Sequence, residues 1–255
     1  MKRFTIKYLM LATVLLVSLA SCKKSFLELN PPTSLTPSVA LATEADLQVA
    51  LRGAYAGLKS TALYGRSLPV LGDMMGDNTY QSTLNTNRYT LFNNNTYTVT
   101  DGDVAGLWSA AYTVILRANN IINSPVAANA NVNQYKGEAY AIRALAYYNL
   151  VRFFATPYTQ DPAALGVPLV TTYDADLKPG RAKVSEVYAL INADLNQAYT
   201  LMTKFTNSSQ FSKYAAKALQ AKVYNTMGDK ANAKTAALDV ITNSGFTAVS
   251  ATAHA

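Results

Sequence analysis

Histidine and cysteine, two of the side chains that most often carry out catalysis, occur once each in this sequence. The only histidine, His254, is the penultimate of 255 residues, and the only cysteine, Cys22, lies near the other end. A Ser-His-Asp triad, a Cys-His pair or a histidine-ligated metal therefore cannot be assembled within the folded part. No Gly-x4-Gly-Lys-Ser/Thr or Gly-x-Gly-x2-Gly sequence indicates a nucleotide site. We expect no catalytic residue, metal or cofactor, although fifteen Asp and Glu residues leave a glycoside-hydrolase carboxylate pair open.

The lone cysteine favours a different chemistry, which is lipid attachment. A basic tip precedes an apolar run over residues 8–20, and this run is shorter than the roughly 20 residues of a membrane-spanning helix. Such a tip, run and small-residue exit predict a secretory signal peptide over residues 1–21. The letters LASC, which end at Cys22, resemble a bacterial lipobox, where the thiol is acylated and the chain is cut just before it. We expect several acyl chains on Cys22 to anchor the mature chain to a membrane, with residues 22–40 as an extended tether.

A long polar segment carries the residue types that suit a ligand. Residues 76–103 are rich in Asn, Thr, Tyr and Gly without a sustained helical period. This composition predicts a long loop with room for short extended pieces, and loops of this length are often functional. Carboxylate, amide and guanidinium groups pair with sugar hydroxyls, and tyrosine rings cover apolar sugar faces. The candidate substrate-binding residues are therefore Asp77, Asn78, Tyr80, Arg88 and Tyr89. A solvated loop with no ligand is the open alternative.

The rest of the chain is dominated by helical periodicity. Apolar residues recur at steps of three and four over residues 47–58, 107–122, 139–153 and 184–202. Thr43 and Asp46 form a capping pattern before the first of these stretches. Two more helices, over residues 216–227 and 231–242, are separated by a Gly-Asp turn. The pattern predicts a mostly α fold, an all-α scaffold of tetratricopeptide-like helix pairs with long irregular loops.

Several conspicuous side chains on these helices are interpreted as structural. Trp108 begins an amphipathic stretch and is expected to pack into the core. Glu138 and Arg143 are expected to make structural pairs with neighbouring elements. Small residues such as Ala221, Ala233 and Ala237 suit close helix packing in the last pair, with Tyr224 filling the gap to the next. The tyrosines at 147, 148, 188, 199, 214 and 224 are interpreted as packing between helix pairs.

The way the basic residues are distributed argues against nucleic acid as a partner. The chain carries a formal charge of +7 at pH 7, but its basic residues are spread out and form no Lys/Arg-rich block. Half of the residues are apolar, yet no apolar stretch beyond the signal peptide is long enough for a span.

Six segments, in order, resemble the RagB/SusD family of nutrient-uptake outer-membrane lipoproteins. They are CKKSFLELNPPTS, GRSLPVLGDMMGDNTY, LWSAAYTVILRANNII, KGEAYAIRALAYYNLVRFFATPY, GVPLV and VSEVYALINADLNQA. The resemblance runs from Cys22 to about residue 250. Members of the family are about twice as long, so residues 41–255 are expected to be the N-terminal half of a SusD-like helical domain without its C-terminal half.

The resemblance implies a non-catalytic lipoprotein on the outer face of the outer membrane. Such a protein captures an oligosaccharide or similar nutrient and delivers it to a SusC-like TonB-dependent transporter. Two alternatives stay open: a periplasm-facing tetratricopeptide scaffold for envelope assembly, and a lipid-anchored glycoside hydrolase.

Overall fold

The computed structural model describes residues 40–247, which form α-helices and one pair of short strands. The helices are α1 (Glu44–Leu58), α2 (Ser67–Met75), α3 (Thr90–Asn93), α4 (Gly102–Ile122), α5 (Ala130–Phe154), α6 (Val184–Leu201), α7 (Lys213–Thr226) and α8 (Lys230–Asn243). The strands are β1 (Leu165–Pro168) and β2 (Arg181–Lys183). The mostly α prediction is confirmed. The predicted signal peptide, Cys22, most of the predicted tether and His254 lie outside the described residues.

Short polar side chains fix where three of the long helices begin, which are α1, α4 and α5. The Thr43 hydroxyl accepts a hydrogen bond from the Asp46 backbone N–H at 3.2 Å, and the Asp46 carboxylate accepts one from the Thr43 N–H at 3.0 Å. This capping box was predicted from the sequence, and it satisfies donors that the first helical turn leaves free. Asp101 and Asn129 cap α4 and α5 without a reciprocal bond, each by accepting from two backbone N–H groups of the first turn. The helix starts are therefore encoded locally.

Helix α5 lies at the centre of the fold. It packs between α4 and α6, and α1 crosses α4 and α5, while α7 and α8 continue the row from α6. Burial of the predicted apolar stripe of α6 is complete, and its members are Val184, Val187, Ile191, Leu195, Ala198 and Met202. An α-helix presents residues at such steps on one face, so burying the stripe against a neighbour stabilises both helices.

The last helix pair forms at the predicted turn, and the expected packing residues Ala221, Ala233 and Ala237 are half-buried in it. Gly228 has a φ of +80° between α7 and α8, a left-handed conformation that glycine adopts without steric cost. Ala216, Val223 and Ala236 are the buried apolar residues of the pair. Tyr224 is half-buried, one position along from Val223, and its role in filling the gap to the next pair stays a prediction. Which of two adjacent residues on a helix is buried depends on where the neighbouring helix packs.

The other tyrosine and tryptophan interpretations are largely confirmed. Tyr147, Tyr148 and Tyr188 are buried in the core. Trp108 is half-buried, with its ring centroid 4.9 Å from that of Phe154 and 5.0 Å from that of Tyr112. Tyr199 and Tyr214 are half-buried and meet edge to face between α6 and α7, with ring centroids 6.2 Å apart.

The segment between α5 and α6 contains a two-stranded sheet that the sequence did not indicate. Strands β1 and β2 pair antiparallel, with Leu165 opposite Lys183. The Tyr147 hydroxyl donates to the Val170 carbonyl oxygen at 3.0 Å and accepts from the Val170 N–H at 2.7 Å. A tyrosine of α5 therefore ties the segment to the core.

Residues 76–101 form a loop where the sequence predicted one over 76–103, since residues 102 and 103 already belong to α4. The short extended pieces are absent, and helix α3 is present instead. Nowhere in residues 40–247 is a helix both long and apolar enough to cross a membrane.

Candidate functional site

The polar loop begins where α2 ends, and it carries all five predicted ligand-binding residues. Asp77 adopts a φ of +55° directly after the C-cap Gly76. The Asn78 N–H donates to the Asp73 carbonyl oxygen at 2.9 Å, so the chain turns back over the end of α2. Tyr80 is 87% exposed. These three side chains therefore face solvent at the start of the loop.

Arg88 and Tyr89 are the two predicted residues that the structure brings into contact. The Arg88 guanidinium carbon lies 5.8 Å from the Tyr89 ring centroid, and that of Arg66 lies 5.9 Å from the same centroid. Cations at this range are attracted by the ring quadrupole. Tyr89 also packs edge to face on Phe92, with ring centroids 6.4 Å apart. The ring is therefore held between a helix side chain and two guanidinium groups.

Two polar atoms at this position lack a hydrogen-bond partner among residues 40–247. They are the Tyr89 hydroxyl oxygen and the Nε atom of Arg66. Arg66 also lies near Asp103, with 3.7 Å between Nη2 and Oδ1. Buried polar groups without partners cost free energy, and sites that hold a ligand or water often retain them. Of the five predicted residues, Tyr89 therefore has the most distinctive surroundings.

One hydrogen bond links the two parts of the loop. The Gln81 N–H donates to Asn93 Oδ1 at 2.7 Å, which ties the stretch after Tyr80 to the end of α3. Among the described residues, no hydrogen bond or ring contact joins Asp77, Asn78 or Tyr80 to Arg88 or Tyr89. The five residues thus share one loop but form two separate groups.

Tyr97 is a loop aromatic that the sequence reasoning missed. Its ring stacks on Phe92 with a centroid distance of 4.9 Å and an interplanar angle of 12°, and the residue is 37% exposed. Behind it lies an apolar cavity of about 290 Å³. Its lining includes Leu71, Met75, Phe92, Tyr97, Val104 and Phe153. The sequence feature that could have identified Tyr97 is its place in the same loop as Tyr80 and Tyr89. It lies five residues after Phe92.

Glu138 and Arg143 have the structural roles expected of them. Arg143 Nε and Nη2 donate to both carboxylate oxygens of Asp194, at 2.8 and 2.7 Å, and Nη1 donates to Asn119 Oδ1 at 2.8 Å. Asn119 in turn donates to the Val170 carbonyl oxygen at 2.9 Å. This buried network joins α4, α5 and α6.

Glu138 belongs to a second buried network. Its carboxylate accepts from the Tyr55 hydroxyl at 2.7 Å and from Gln134 Nε2 at 2.9 Å. Burial raises the pKa of Glu138 above its usual value, against the effect of these two hydrogen bonds. Burial, followed by the Glu138 charge, raises the pKa of Tyr55. The network joins α1 to α5.

Over residues 40–247, no three side chains of His, Cys, Asp or Glu form a group that could hold a metal ion.

The chain is similar to known proteins both in sequence and in fold. A SusD-like family model, described as starch-binding and associating with the outer membrane, matches residues 25–225. SusD-like protein P2 of Formosa agariphila is 35% identical over an alignment of 256 positions, which covers 95% of this chain and 47% of that protein. A crystal structure of a SusD superfamily protein from Bacteroides vulgatus has a TM-score of 0.74 at 28% identity, over 82% of this chain and 49% of that one.

A fourth match concerns the fold alone. A laminarin-binding SusD-like protein has a TM-score of 0.64 at 23% identity, over 81% of this chain and 46% of that one. The chain spans about half the length of the curated relatives it matches. The resemblance seen in the ordered sequence segments is confirmed, and this chain belongs to the RagB/SusD family of SusD-like proteins.

Proposed function

We propose that this chain is part of a surface lipoprotein that binds a glycan and delivers it to a SusC-like TonB-dependent outer-membrane transporter. The observation that carries the proposal is the match of residues 25–225 to a family described as starch-binding and associating with the outer membrane. A relative of the same fold is named for binding laminarin. The protein holds its ligand without making or breaking a bond, and its anchor is the acylated Cys22.

The polar loop supplies the glycan contacts in this proposal. Arg88 and Asp77 offer a cation and a carboxylate, which form charge-assisted hydrogen bonds with sugar hydroxyls. The exposed ring of Tyr80 offers an apolar face of the kind that sugar rings stack on. Tyr89, held against Phe92, fixes the position of the Arg88 guanidinium.

Affinity electrophoresis in gels containing starch or laminarin tests the glycan-binding role. Tyr80→Ala and Arg88→Ala are each expected to weaken retardation about tenfold, because each removes one ligand contact. Tyr173→Ala and Lys178→Ala are the matched controls, since both residues are exposed in another loop. Equal retardation of all four variants would contradict the assignment of the polar loop.

The anchor and the partner need a separate experiment in cells. Mass spectrometry of the mature N-terminus should find acyl chains on Cys22, and Cys22→Ser should release the protein from the membrane. Co-purification from detergent-solubilised outer membranes should recover a large TonB-dependent barrel with the wild type. Recovery of the protein without any barrel would contradict the transporter role.

Two assays separate the proposal from its alternatives. Protease added to whole cells should remove a surface protein and spare a periplasm-facing scaffold. Incubation with a polysaccharide panel should release no reducing ends, whereas a glycoside hydrolase would release them.

A further inference from the structure

A cleft of about 550 Å³ lies between α1, the first half of α5 and the segment that precedes α7. We call it the helical cleft. Its α1 wall contains Gln48, Arg52, Tyr55 and Lys59, which recur at steps of four, three and four and so share one helix face. The volume falls within the range of about 300 to 1,000 Å³ that is usual for small-molecule sites. It is therefore large enough for sugar units and larger than an inorganic anion needs.

Buried polar groups build the floor of the helical cleft. Glu138 and Gln134 line it, although they are only 2% and 3% exposed. Both oxygens of Glu138 are already engaged, one by the Tyr55 hydroxyl and the other by Gln134. The floor is thus a fixed arrangement of polar atoms.

The same groups fasten the third wall at both of its ends. Gln134 Oε1 accepts from the N–H groups of Thr203 and Lys204, each at 3.1 Å. The Tyr55 hydroxyl accepts from the Phe211 N–H at 2.7 Å. Residues 203–211 are thus hydrogen-bonded to α5 at one end and to α1 at the other, and they form the third wall of the cleft.

The charge on the helical cleft is unbalanced. Arg52 and Lys59 are exposed, and neither has an ion-pair partner within residues 40–247. They lie seven residues apart, about 10.5 Å along the axis of α1. Lys204 is a third lining cation, which donates to Asn131 at 2.6 Å, and Glu44 accepts from the same amide side chain.

The cleft therefore offers two exposed cations without ion-pair partners in the described part of the chain, on α1 and at its C-cap. The lining carboxylate of Glu138 is buried and already engaged by Tyr55 and Gln134, so the exposed charge of the cleft is positive and attracts anions.

The remaining lining suits a polyhydroxylated molecule. Amide side chains of Gln48, Asn131, Asn207 and Gln210 and the hydroxyl of Ser209 reach the cleft. Amides and hydroxyls both donate and accept, as sugar hydroxyls do.

We propose that the helical cleft binds an acidic oligosaccharide, with Arg52 and Lys59 contacting its carboxylate or sulfate groups. The preference for an anion rests on the cleft alone, while the choice of a saccharide rests on the proposed function. Arg52 offers a planar fork of donors that matches a carboxylate in a bidentate manner, and Lys59 offers a point charge. The cleft is built from elements other than the polar loop, so it is a second binding site.

Isothermal titration of the full chain with two matched pairs of oligosaccharides tests this inference. One pair is trigalacturonate and its methyl ester, and the other is a sulfated galactan oligosaccharide and its desulfated form. The acidic member of at least one pair should bind, and neutralising its charge should abolish binding. The pair that responds identifies the anionic group as carboxylate or sulfate.

Three variants assign the binding to the helical cleft. Arg52→Gln with Lys59→Gln should weaken binding about a hundredfold, because each charged contact contributes about tenfold. Lys178→Gln with Lys234→Gln removes two exposed charges outside the cleft and should leave affinity unchanged. Ala56→Trp keeps both cations and fills the cleft from α1, so it should also block binding. Circular dichroism checks that each variant is folded.

Several outcomes would overturn the inference. They are equal affinity for an acid and its neutral form, equal losses in the cleft and control variants, and no binding of either acid at millimolar concentration. A poly-glutamate peptide that binds more tightly than either acid would assign the cleft to a protein partner instead. Starch and laminarin retardation in the cleft variants should match the wild type, which separates this test from that of the polar loop.

Discussion

Polar side chains are held in place by different means in the polar loop and in the helical scaffold. In residues 40–247, all non-glycine residues with positive φ lie in the loop, and they are Asp77, Asn87, Tyr89 and Asn95. In the scaffold, Arg143 and Glu138 are held by several hydrogen bonds each within regular helices. The loop relies on local turns, whereas the scaffold relies on contacts between distant parts of the sequence.

This difference indicates how the two regions respond to change. Asp and Asn tolerate the left-handed region, but tyrosine adopts it at a cost of the order of 1–3 kcal/mol, as Tyr89 does at +65°. Its surroundings of Phe92 and two guanidinium groups hold it there. Substitutions in the scaffold should therefore change stability, and substitutions in the loop should change binding. Four predictions test that contrast, in order of decreasing effect on stability.

Breaking the buried ion pair should have the largest effect. Arg143→Met leaves the Asp194 carboxylate buried without its partner, and we expect a loss of about 3–5 kcal/mol in the free energy of unfolding. Urea denaturation followed by circular dichroism measures it. The double variant Arg143→Met with Asp194→Leu should lose much less, because no charge is left unpaired. A single variant as stable as the double one would contradict this role.

Adding one methyl group to α5 should have the next largest effect. A Cβ at Gly137 would lie 2.6 Å from Met202 Cγ and 3.2 Å from Leu201 Cβ. Gly137→Ala should therefore destabilise the protein by about 1–3 kcal/mol through overpacking. Gly53→Ala in α1 is the control, since a Cβ there meets nothing within 4 Å. It should instead stabilise by about 0.5–1 kcal/mol, as alanine favours a helix. If Gly137→Ala stabilised the protein as Gly53→Ala does, the contact of α5 with Met202 and Leu201 would not be tight.

The ionisation of Glu138 should make stability depend on pH. Its folded pKa is raised above 4.5 by burial, so in the window from 4.5 up to the folded pKa the folded state holds a proton that the unfolded chain has lost. The free energy of unfolding must then fall as pH rises through this window. Glu138→Gln removes the effect, and the wild type should lose stability relative to it between acidic and neutral pH.

Urea titrations of both proteins across that pH range measure this difference. Asp73→Asn, at an exposed position of α2, is the control and should follow the wild type. A wild type that gains stability over Glu138→Gln as pH rises would contradict the raised pKa.

Changes in the polar loop should have the smallest effect on stability. Tyr80→Ala and Arg88→Ala should stay within about 0.5 kcal/mol of the wild type, as exposed substitutions usually do. Their effect should appear in glycan retardation instead. A large loss of stability in either variant would show that the loop is part of the scaffold, and would remove the contrast between the two regions.

Much of the helical scaffold could be predicted because its signals are local. The stripe of α6 and the capping box at Thr43 depend on residues within a few positions of one another. The turn at Gly228 is likewise set by the residue itself. Helical periodicity reports which face is apolar, so the burial of these faces followed directly.

The partners of individual side chains could not be predicted in the same way. Arg143 meets Asp194 across 51 positions, and Tyr55 meets Phe211 across 156. The sequence indicated that Arg143 and Glu138 would pair but could not identify with whom. The offset between Tyr224 and Val223 has the same origin, since which of two adjacent residues is buried depends on the helix opposite.

For the candidate ligand-binding residues, the location could be predicted but the contacts could not. Composition was enough to locate a long polar loop at residues 76–103, of which 76–101 form it. It was not enough to show that Arg88 and Tyr89 would touch while Tyr80 stands apart. The stack of Tyr97 on Phe92 and the short helix α3 were missed because both depend on how the loop folds back on α2 and α4.

The amino-acid sequence by itself determined the long helices, the cap of α1, the loop and the family, because these depend on the order of residues along one stretch of chain. Only the tertiary structure decided the helical cleft. Its walls come from α1, α5 and residues 203–211. These segments are distant in the sequence, and the cleft exists only because hydrogen bonds join them in the folded chain.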